Sequence, residues 1–501
     1  MNNFMKALKN ENNFGYTENG AVKRMSTMSG LLDLFGMGAA YRNRSDTDCI
    51  FLFQKAFKEN PVYALKCLFY IRDVRGGQGE RRFFRVVTKW LADHETDAMA
   101  RNLQYVPEFG RWDDLYEFVN TKLEAAAFKV MENQIRLDIQ CKTPSLLAKW
   151  LKSENTSSKD SRALANKTRM AFGLDHRQYR KMLSALRERI NVVERLMSAG
   201  KWDEIEFDKI PSKAGFQYRN AFARHDIERM KSEKQVRTYE DFMKDEKTTV
   251  NAKDLYPYEV VEKAYNLTQG GYWSPRKNAP LDNTERLAVN KYWDNLKDYF
   301  NGCSLDALCM IDTSASMWGR PIHVAISLGL YAAERARGPF AGHYISFSRR
   351  PQLVATDGVD FVDKVERIYR TNICENTNIE AAFDMLLDTA IKNRCSQSDL
   401  PKSIVVISDM EFDYQVSTSC NDKETLMEGI RRKWQRNGYE MPELVFWSVD
   451  SRQDNIPMKV EGGITMVSGF SPVTFEMLMK GKTGYDLMMD KLNEERYACI
   501  Q

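Results

Sequence analysis

The stretch Leu305-Asp-Ala-Leu-Cys-Met-Ile-Asp-Thr-Ser-Ala-Ser316 decides how the C-terminal part of this 501-residue chain is read. Leu305–Ile311 is a short apolar run that passes directly into Asp312, Thr313, Ser314, Ala315 and Ser316. In an extended segment the side chains of 312, 314 and 316 lie on one side. One carboxylate and two hydroxyls are hard oxygen donors, suited to Mg²⁺, Ca²⁺ or Mn²⁺ and unsuited to zinc. Ligand sites of open α/β sheets sit at the carboxyl ends of strands, which is where this segment falls.

Outward from it, His343–Phe347, Ser403–Ile407, Leu444–Val449 and Ile464–Val467 are further short runs rich in Val, Ile and aromatics. Helical stretches lie between most of them: His323–Arg337, Asn378–Ile391 and Glu424–Gln435. Alternating strands and helices predict a parallel sheet with helices on both faces, a doubly wound α/β domain over 301–501. The strand at 403–408 ends in Asp409, and a third loop holds Thr377 just before a helix. A Ser, Thr or Asp at a strand end is more often a plain cap. Three such loops in this order carry the signal that no single one does.

Residues 1–300 read as helix. Val62–Ile71 and Phe83–Leu91 are apolar at helical spacing, and Asn60-Pro61 is a helix start. Tyr179–Met197 repeats the pattern, with Met182, Leu183, Leu186, Ile190, Val193 and Leu196 as its stripe. Short helices over this length predict stacked helical pairs of HEAT-like type, though no strict internal repeat is visible. Residues 231–284, charge-dense and then rich in Gly and Pro, read as a connecting segment. Arg75-Gly-Gly-Gln-Gly-Glu80 is no phosphate loop, because no strand precedes it and no Gly-Lys-Ser/Thr follows; it reads as a turn between helices.

The net charge of +4 hides a division. Residues 1–300 hold 51 Lys and Arg against 41 Asp and Glu, and residues 301–501 hold 22 against 28. A basic part joined to an acidic part predicts two jobs. The basic excess gathers at Lys66–Lys89 and at 151–200. Solvated helical faces explain such clusters blandly; a phosphate-contacting surface is the functional reading. Nine cysteines without a C-x-x-C pair argue against a disulfide framework or a structural zinc site. With no signal-like start and no apolar run long enough to span a bilayer, the expectation is a cytoplasmic protein that makes no membrane contact.

Catalysis is not expected. No G-x-S-x-G occurs and histidine is scarce. A phosphoaspartate role for Asp312 would want a second Asp where Ser314 stands, and His323, one turn into a helix, reads as packing. A metal-dependent hydrolase is the weakest of the readings.

Asp312-x-Ser-x-Ser316, then Thr377, then Ser408-Asp409, resembles the metal-ion-dependent adhesion site of von Willebrand factor A domains. The resemblance implies Asp312, Ser314, Ser316, Thr377 and Asp409 as the metal set, with Asp409 and Thr377 acting through water in one state of the site. Such domains usually have Gly-Gly or Gly-Asn before the threonine and Gly after the last Asp. Here Glu375-Asn376 and Met410-Glu411 stand there, which leaves Glu375 and Glu411 as alternative ligands. Mg²⁺ is the expected ion, with Ca²⁺ or Mn²⁺ as alternatives.

A basic helical region followed by an A-type domain resembles the Ro autoantigen family. Gly173-Leu-Asp-His-Arg-Gln-Tyr-Arg-Lys-Met-Leu-Ser184 is similar to the Gly-x-Ser-His-Lys segment of the Ro ring, with Asp175 in place of the serine. Tyr179–Lys213 looks still more like an uncharacterised branch of Ro-like proteins. The resemblance implies a helical-repeat ring and a small noncoding or misfolded RNA as partner, with His176 and Arg177 on the RNA-facing surface. Phosphate contacts need Lys and Arg, and unstacked bases need aromatic or Arg planes. The candidates are Arg72, Arg75, Arg81, Arg82 and Arg85 in one cluster, and His176, Arg177, Arg180, Lys181 and Arg187 in the other. The rival expectation is a protein-interaction scaffold whose A domain grips an acidic residue of a protein partner through the metal.

Overall fold

Ser403-Ile-Val-Val-Ile-Ser408 is apolar on both faces, as a parallel strand covered by helices on either side must be, and it lies inside the main sheet. The structure, a computed structural model, describes all residues except 1–11, 191, 233, 235, 272, 273, 276–282, 348, 349, 372–377, 413–424, 458–463 and 483. A small antiparallel hairpin, β1 (Gly15–Tyr16) and β2 (Val22–Lys23), comes first. The main sheet is built from β3 (Ala307–Asp312), β4 (His343–Phe347), β5 (Gln352–Ala355), β6 (Ser403–Ser408), β7 (Glu443–Ser448) and β8 (Ile464–Ser468). Their order is β8-β7-β6-β3-β4-β5, parallel throughout except for the edge strand β5, which runs antiparallel to β4. The chain leaves β3 toward β4 on one side and later fills β6 on the other. The reversal therefore falls between β3 and β6, at the carboxyl ends of which open sheets bind ligands.

The helix Arg320–Arg335 packs so closely on β3 that a Cβ at Gly329 would come within 2.8 Å of Ile311 Cγ2. That approach fixes the strand end carrying Asp312. His323 on the same helix is buried, its Nδ1 hydrogen-bonded to the Tyr369 hydroxyl and its ring 5.2 Å from that of Tyr265. It is a packing histidine.

Contacts divide the chain into two compact units, residues 1–67 with 249–494 and residues 68–248 with 495–501. The division departs from a single break at residue 300, and the reason is amphipathic cover. In the first unit a Cβ at Gly36, on the helix Gly30–Met37, would lie 2.8 Å from Met466 Cβ of β8. Tyr258 meets Phe470 edge-on at 5.1 Å, Trp293 stacks on Phe361 at 4.1 Å, and Arg286 pairs with Asp360 at 2.7 Å. Periodicity shows that a helix has an apolar face; it does not show which neighbour covers it.

The second unit is helical throughout its described residues, with Arg82–His94, Glu124–Gln140, Lys159–Ala171 and His176–Ile190 as its longer members. The continuous stripe expected over 179–197 is two helices, His176–Ile190 and Val193–Ser198. The glycine-rich loop at 75–80 turns the chain between helices Pro61–Arg72 and Arg82–His94. A Cβ at Gly77 would meet the Tyr70 carbonyl oxygen at 2.0 Å. Buried Asp73 at the base of the loop accepts from Arg75 N–H (3.0 Å), Arg496 Nη2 (2.7 Å) and the Tyr497 hydroxyl (3.0 Å). The loop thus seats the last residues of the chain.

Burial, with nearby Arg320, pushes the His323 pKa from 6.5 down to about 4. The unfolded chain therefore takes a proton near pH 6.5 that the folded chain refuses until about pH 4. Stability from this group is present above pH 6.5 and lost as pH falls from there toward 4, by about 3 kcal/mol in total. Denaturant unfolding of wild type and His323→Gln should show the stability gap between them narrowing over that window; a gap independent of pH contradicts the assignment.

Candidate functional site

β3 and β6 are adjacent parallel strands in register, Ile311 opposite Ile407, so their next residues bring Asp312 and the Ser408-Asp409 pair together at the topological switch point. Asp312 is fully buried. Its Oδ2 accepts from Ser408 Oγ (2.6 Å) and its Oδ1 from the Ser314 N–H (2.9 Å). The Ser314 and Ser316 hydroxyls lie 3.0 Å apart, Ser314 against Asp312 and Ser316 against Asp409, and the chain turns there through a short 3-10 helix, Ala315–Met317, so extended alternation is not what brings them together. Asp409, also buried, accepts the Glu411 N–H on Oδ1 (3.2 Å), while its Oδ2 is buried with no hydrogen-bond partner among the described residues.

Both carboxyls are held above the ordinary carboxylate range. For Asp312 the cause is burial first and the charge of Asp409 second; for Asp409 it is burial, against which Ser316 and the Glu411 N–H act. Two buried carboxylates at neighbouring strand ends with one oxygen left over need a proton or a cation. Asp312, Ser314, Ser316 and Asp409 are the residues that would hold a hard divalent ion, and the unused Asp409 Oδ2 is the observation that fits one. Among the described residues no three His, Cys, Asp or Glu side chains gather into a metal-binding group, so hydroxyls would have to complete this set. Thr377 and Glu375 lie outside the described residues.

Glu411 does not reach the pair. Its Oε2 accepts from the Glu18 N–H (2.7 Å) and its Oε1 from Asn455 Nδ2 (2.6 Å), so it ties loops together. Met410 takes the left-handed conformation, φ 64°, at the position where glycine is expected by resemblance. A non-glycine residue there stores strain that the surroundings must hold, and its N–H donates to Ser408 Oγ (2.9 Å). Ser408, read in the sequence only as part of the Ser-Asp pair, orients Asp312. Two residues escaped the sequence reading. Asp450, buried just beyond β7, is the third acid to follow a strand in this sheet, a pattern the sequence does display. Arg452 donates to the Ser316 carbonyl (2.7 Å) and leaves its charge beside Asp409.

The basic residues of the second unit sort into two groups. Arg72 is 1% exposed, and its Nε (2.9 Å) and Nη2 (2.6 Å) both bind Asp114 Oδ2. Arg85 binds Asp114 (2.7 Å), Asp113 (3.0 Å) and Glu117 (3.0 Å). Burial would raise the Asp114 pKa, but Arg72 and Arg85 pull it below its ordinary value. These two arginines neutralise buried acid and are not open to a polyanion, which corrects their place in the phosphate-contacting set. Arg75 and Arg81 are exposed and Arg82 half-exposed, with Arg75 Nη1 on the Glu108 carbonyl (2.7 Å).

Arg187 is likewise structural. It donates to the carbonyls of Ala148 (2.9 Å) and Leu151 (2.8 Å) and to Ser153 Oγ (2.9 Å), and burial lowers its pKa. Tyr179 is core. Exposed His176 meets Glu154 at 2.7 Å. Arg177, Arg180 and Lys181 are exposed on one face of the helix at i, i+3 and i+4 spacing, and none is in an ion pair among the described residues. Beside them a cleft of about 850 Å³ carries both signs, with Lys149 paired to Glu194 (3.1 Å) and Arg195 to Glu188 (2.6 Å).

The carboxylate pair makes a stability prediction. Mg²⁺ or Mn²⁺ at about 100 times its Kd should stabilise wild type by about 2.7 kcal/mol, and Asp312→Ala should abolish the response. Asp409→Asn should also abolish it while making the metal-free protein more stable by on the order of 1 kcal/mol, since it removes one of two repelling buried charges. Thermal melts with and without EDTA decide; equal metal responses in wild type and Asp312→Ala contradict the site.

The chain is similar to known proteins along nearly its whole length. The Acanthamoeba polyphaga mimivirus protein described as uncharacterized protein L728 is 29% identical over 507 aligned residues, covering 94% of this chain and 85% of that one. The crystal structure of the Deinococcus radiodurans RO (RSR) protein aligns over 94% of this chain and 100% of that chain at 13% identity, with a TM-score of 0.42, too loose to carry an argument. Residues 306–498 match the family described as domain of unknown function DUF7788. Residues 17–171 and 142–300 match the family described as domain of unknown function DUF2828, and with more than half its length so matched the chain belongs to that family.

Proposed function

We propose a binding protein of Ro-like type, in which an exposed basic face of the helical unit takes small structured or single-stranded RNA and the α/β unit holds a divalent cation. The observation that carries the RNA part is the Arg177–Arg180–Lys181 face, three exposed cations in one stripe with no acidic partner among the described residues. Each placed on a phosphate releases counterions and adds affinity independent of sequence. The similarity of Gly173–Ser184 to a Ro segment and the order of helical region then α/β domain support the same reading. The RNA-contacting set is then Arg75, Arg81, Arg82, His176, Arg177, Arg180 and Lys181. The exposed part of it carries the proposal, and Arg72, Arg85 and Arg187 serve the fold.

A second reading is favoured by the unused Asp409 oxygen. With Asp312 bound directly and Asp409 acting through water, a divalent cation would keep positive charge for an incoming anion, which suits a metal-dependent grip on an acidic protein partner. The cation would be Mg²⁺ by its preference for oxygen donors, with Mn²⁺ or Ca²⁺ as alternatives.

Charge reversal of Arg177, Arg180 and Lys181 together should weaken binding of a short single-stranded RNA at least about tenfold near physiological salt and flatten its salt dependence by about two to three phosphate contacts. Asp312→Ala should leave that binding intact. Filter binding at several salt concentrations reads both; loss of RNA affinity in Asp312→Ala with none in the charge-reversed variant overturns the assignment.

A further inference from the structure

The hairpin β1–β2 reaches the loop that follows Asp409. At its tip Thr17 Oγ1 donates to the Phe412 carbonyl (2.7 Å), Asn19 Nδ2 to the Glu411 carbonyl (2.7 Å), and the Glu18 N–H to Glu411 Oε2 (2.7 Å). These bonds leave the Glu18 side chain at the rim, where it accepts from Arg452 Nη1 (3.1 Å). Arg452 donates its other terminal nitrogen to the Ser316 carbonyl (2.7 Å), within the loop that carries Asp312, Ser314 and Ser316. Arg452 is 41% and Glu18 40% exposed, so the ion pair sits at the water-facing mouth and not in the interior. One guanidinium thus spans from the candidate metal loop to a carboxylate belonging to the chain's own N-terminal hairpin.

We propose that Arg452 is the second arm of the anion site at the Asp312–Asp409 pair, that the arm recognises a carboxylate, and that Glu18 is its internal occupant, which an acidic side chain of a protein partner must displace. The proposal rests on the metal reading above and deepens it. The choice of carboxylate comes from Glu18 itself, since Arg452 already holds that group in that place. Guanidinium reads planar carboxylates with two donors, and with one nitrogen committed to Ser316 the arm is oriented before any ligand arrives. Asp409 and Asp450 lie close enough to raise the pKa of Arg452 against the effect of burial, together with Glu18. The hairpin therefore competes with the partner for one charge, and the strength of that competition is that of an exposed ion pair.

The test uses the full chain loaded with Mn²⁺ and reads paramagnetic relaxation of acetate protons, with phosphorus relaxation of inorganic phosphate as a parallel arm. Wild type, Glu18→Gln, Arg452→Gln, the double variant and Asp312→Ala are compared. Glu18→Gln should raise acetate affinity about two- to fivefold, the span expected for removing an exposed competitor, and the double variant should lose that gain. Equal acetate relaxation in wild type and Glu18→Gln, with Mn²⁺ still bound, overturns the internal-occupant proposal and leaves the metal reading standing. A gain for phosphate without one for acetate overturns the carboxylate assignment. No Mn²⁺ bound by wild type, or the same amount bound by Asp312→Ala, overturns the metal reading and this proposal with it.

Discussion

Two carboxylates buried side by side at the ends of adjacent strands are the constraint around which the α/β unit is arranged. Strand register forces Asp312 and Asp409 together, because β3 and β6 pair residue for residue up to Ile311 and Ile407. Burial then makes the charge of each costly, and the neighbour adds to the cost for Asp312. The surrounding groups answer that cost. Ser408 donates to Asp312, Glu411 N–H and Ser316 act on Asp409, and Arg452 brings a positive charge to the rim. What they leave unanswered is one oxygen of Asp409. Apolar residues at these two positions would carry none of that cost.

The helical unit shows the opposite use of charge. Asp113, Asp114 and Glu117 absorb Arg85, and Asp114 also absorbs Arg72 where water is excluded. A guanidinium so engaged holds loops and is closed to a ligand. Arg187 reaches the same end through neutral carbonyls. Positive composition in the first 300 residues is therefore a poor measure of a polyanion surface; on the helix His176–Ile190 it is Arg177, Arg180 and Lys181, exposed and clear of acids, that share one face.

Much of the α/β unit is legible in the chain because buried parallel strands are continuous apolar runs. His343–Phe347 is a strand to the residue, whereas Ser314 and Ser316 come together through a 3-10 turn, Ala315–Met317, that the extended alternation did not foresee. The parts that were not legible have physical reasons. Gln352–Ala355 is an exposed edge strand with no apolar face to announce it. The hairpin at 15–23 has two-residue strands, too short for any period. Arg72 meets Asp114 across 42 positions, and nothing local distinguishes a paired arginine from an open one. The left-handed turn at Met410 is visible only as a backbone angle, since the residue type argues against it. The cover that residues 1–67 and 249–300 give the sheet is a matter of which apolar faces meet, and pattern alone does not specify partners.

Crystals grown with Mn²⁺ and measured at a wavelength where manganese scatters anomalously test the central claim most directly. The account predicts one strong anomalous peak among the carboxyl oxygens of Asp312 and Asp409 and the hydroxyls of Ser314 and Ser316. A map with no peak there, or with the two carboxyl groups bridged directly by a shared proton in the presence of the ion, would contradict it.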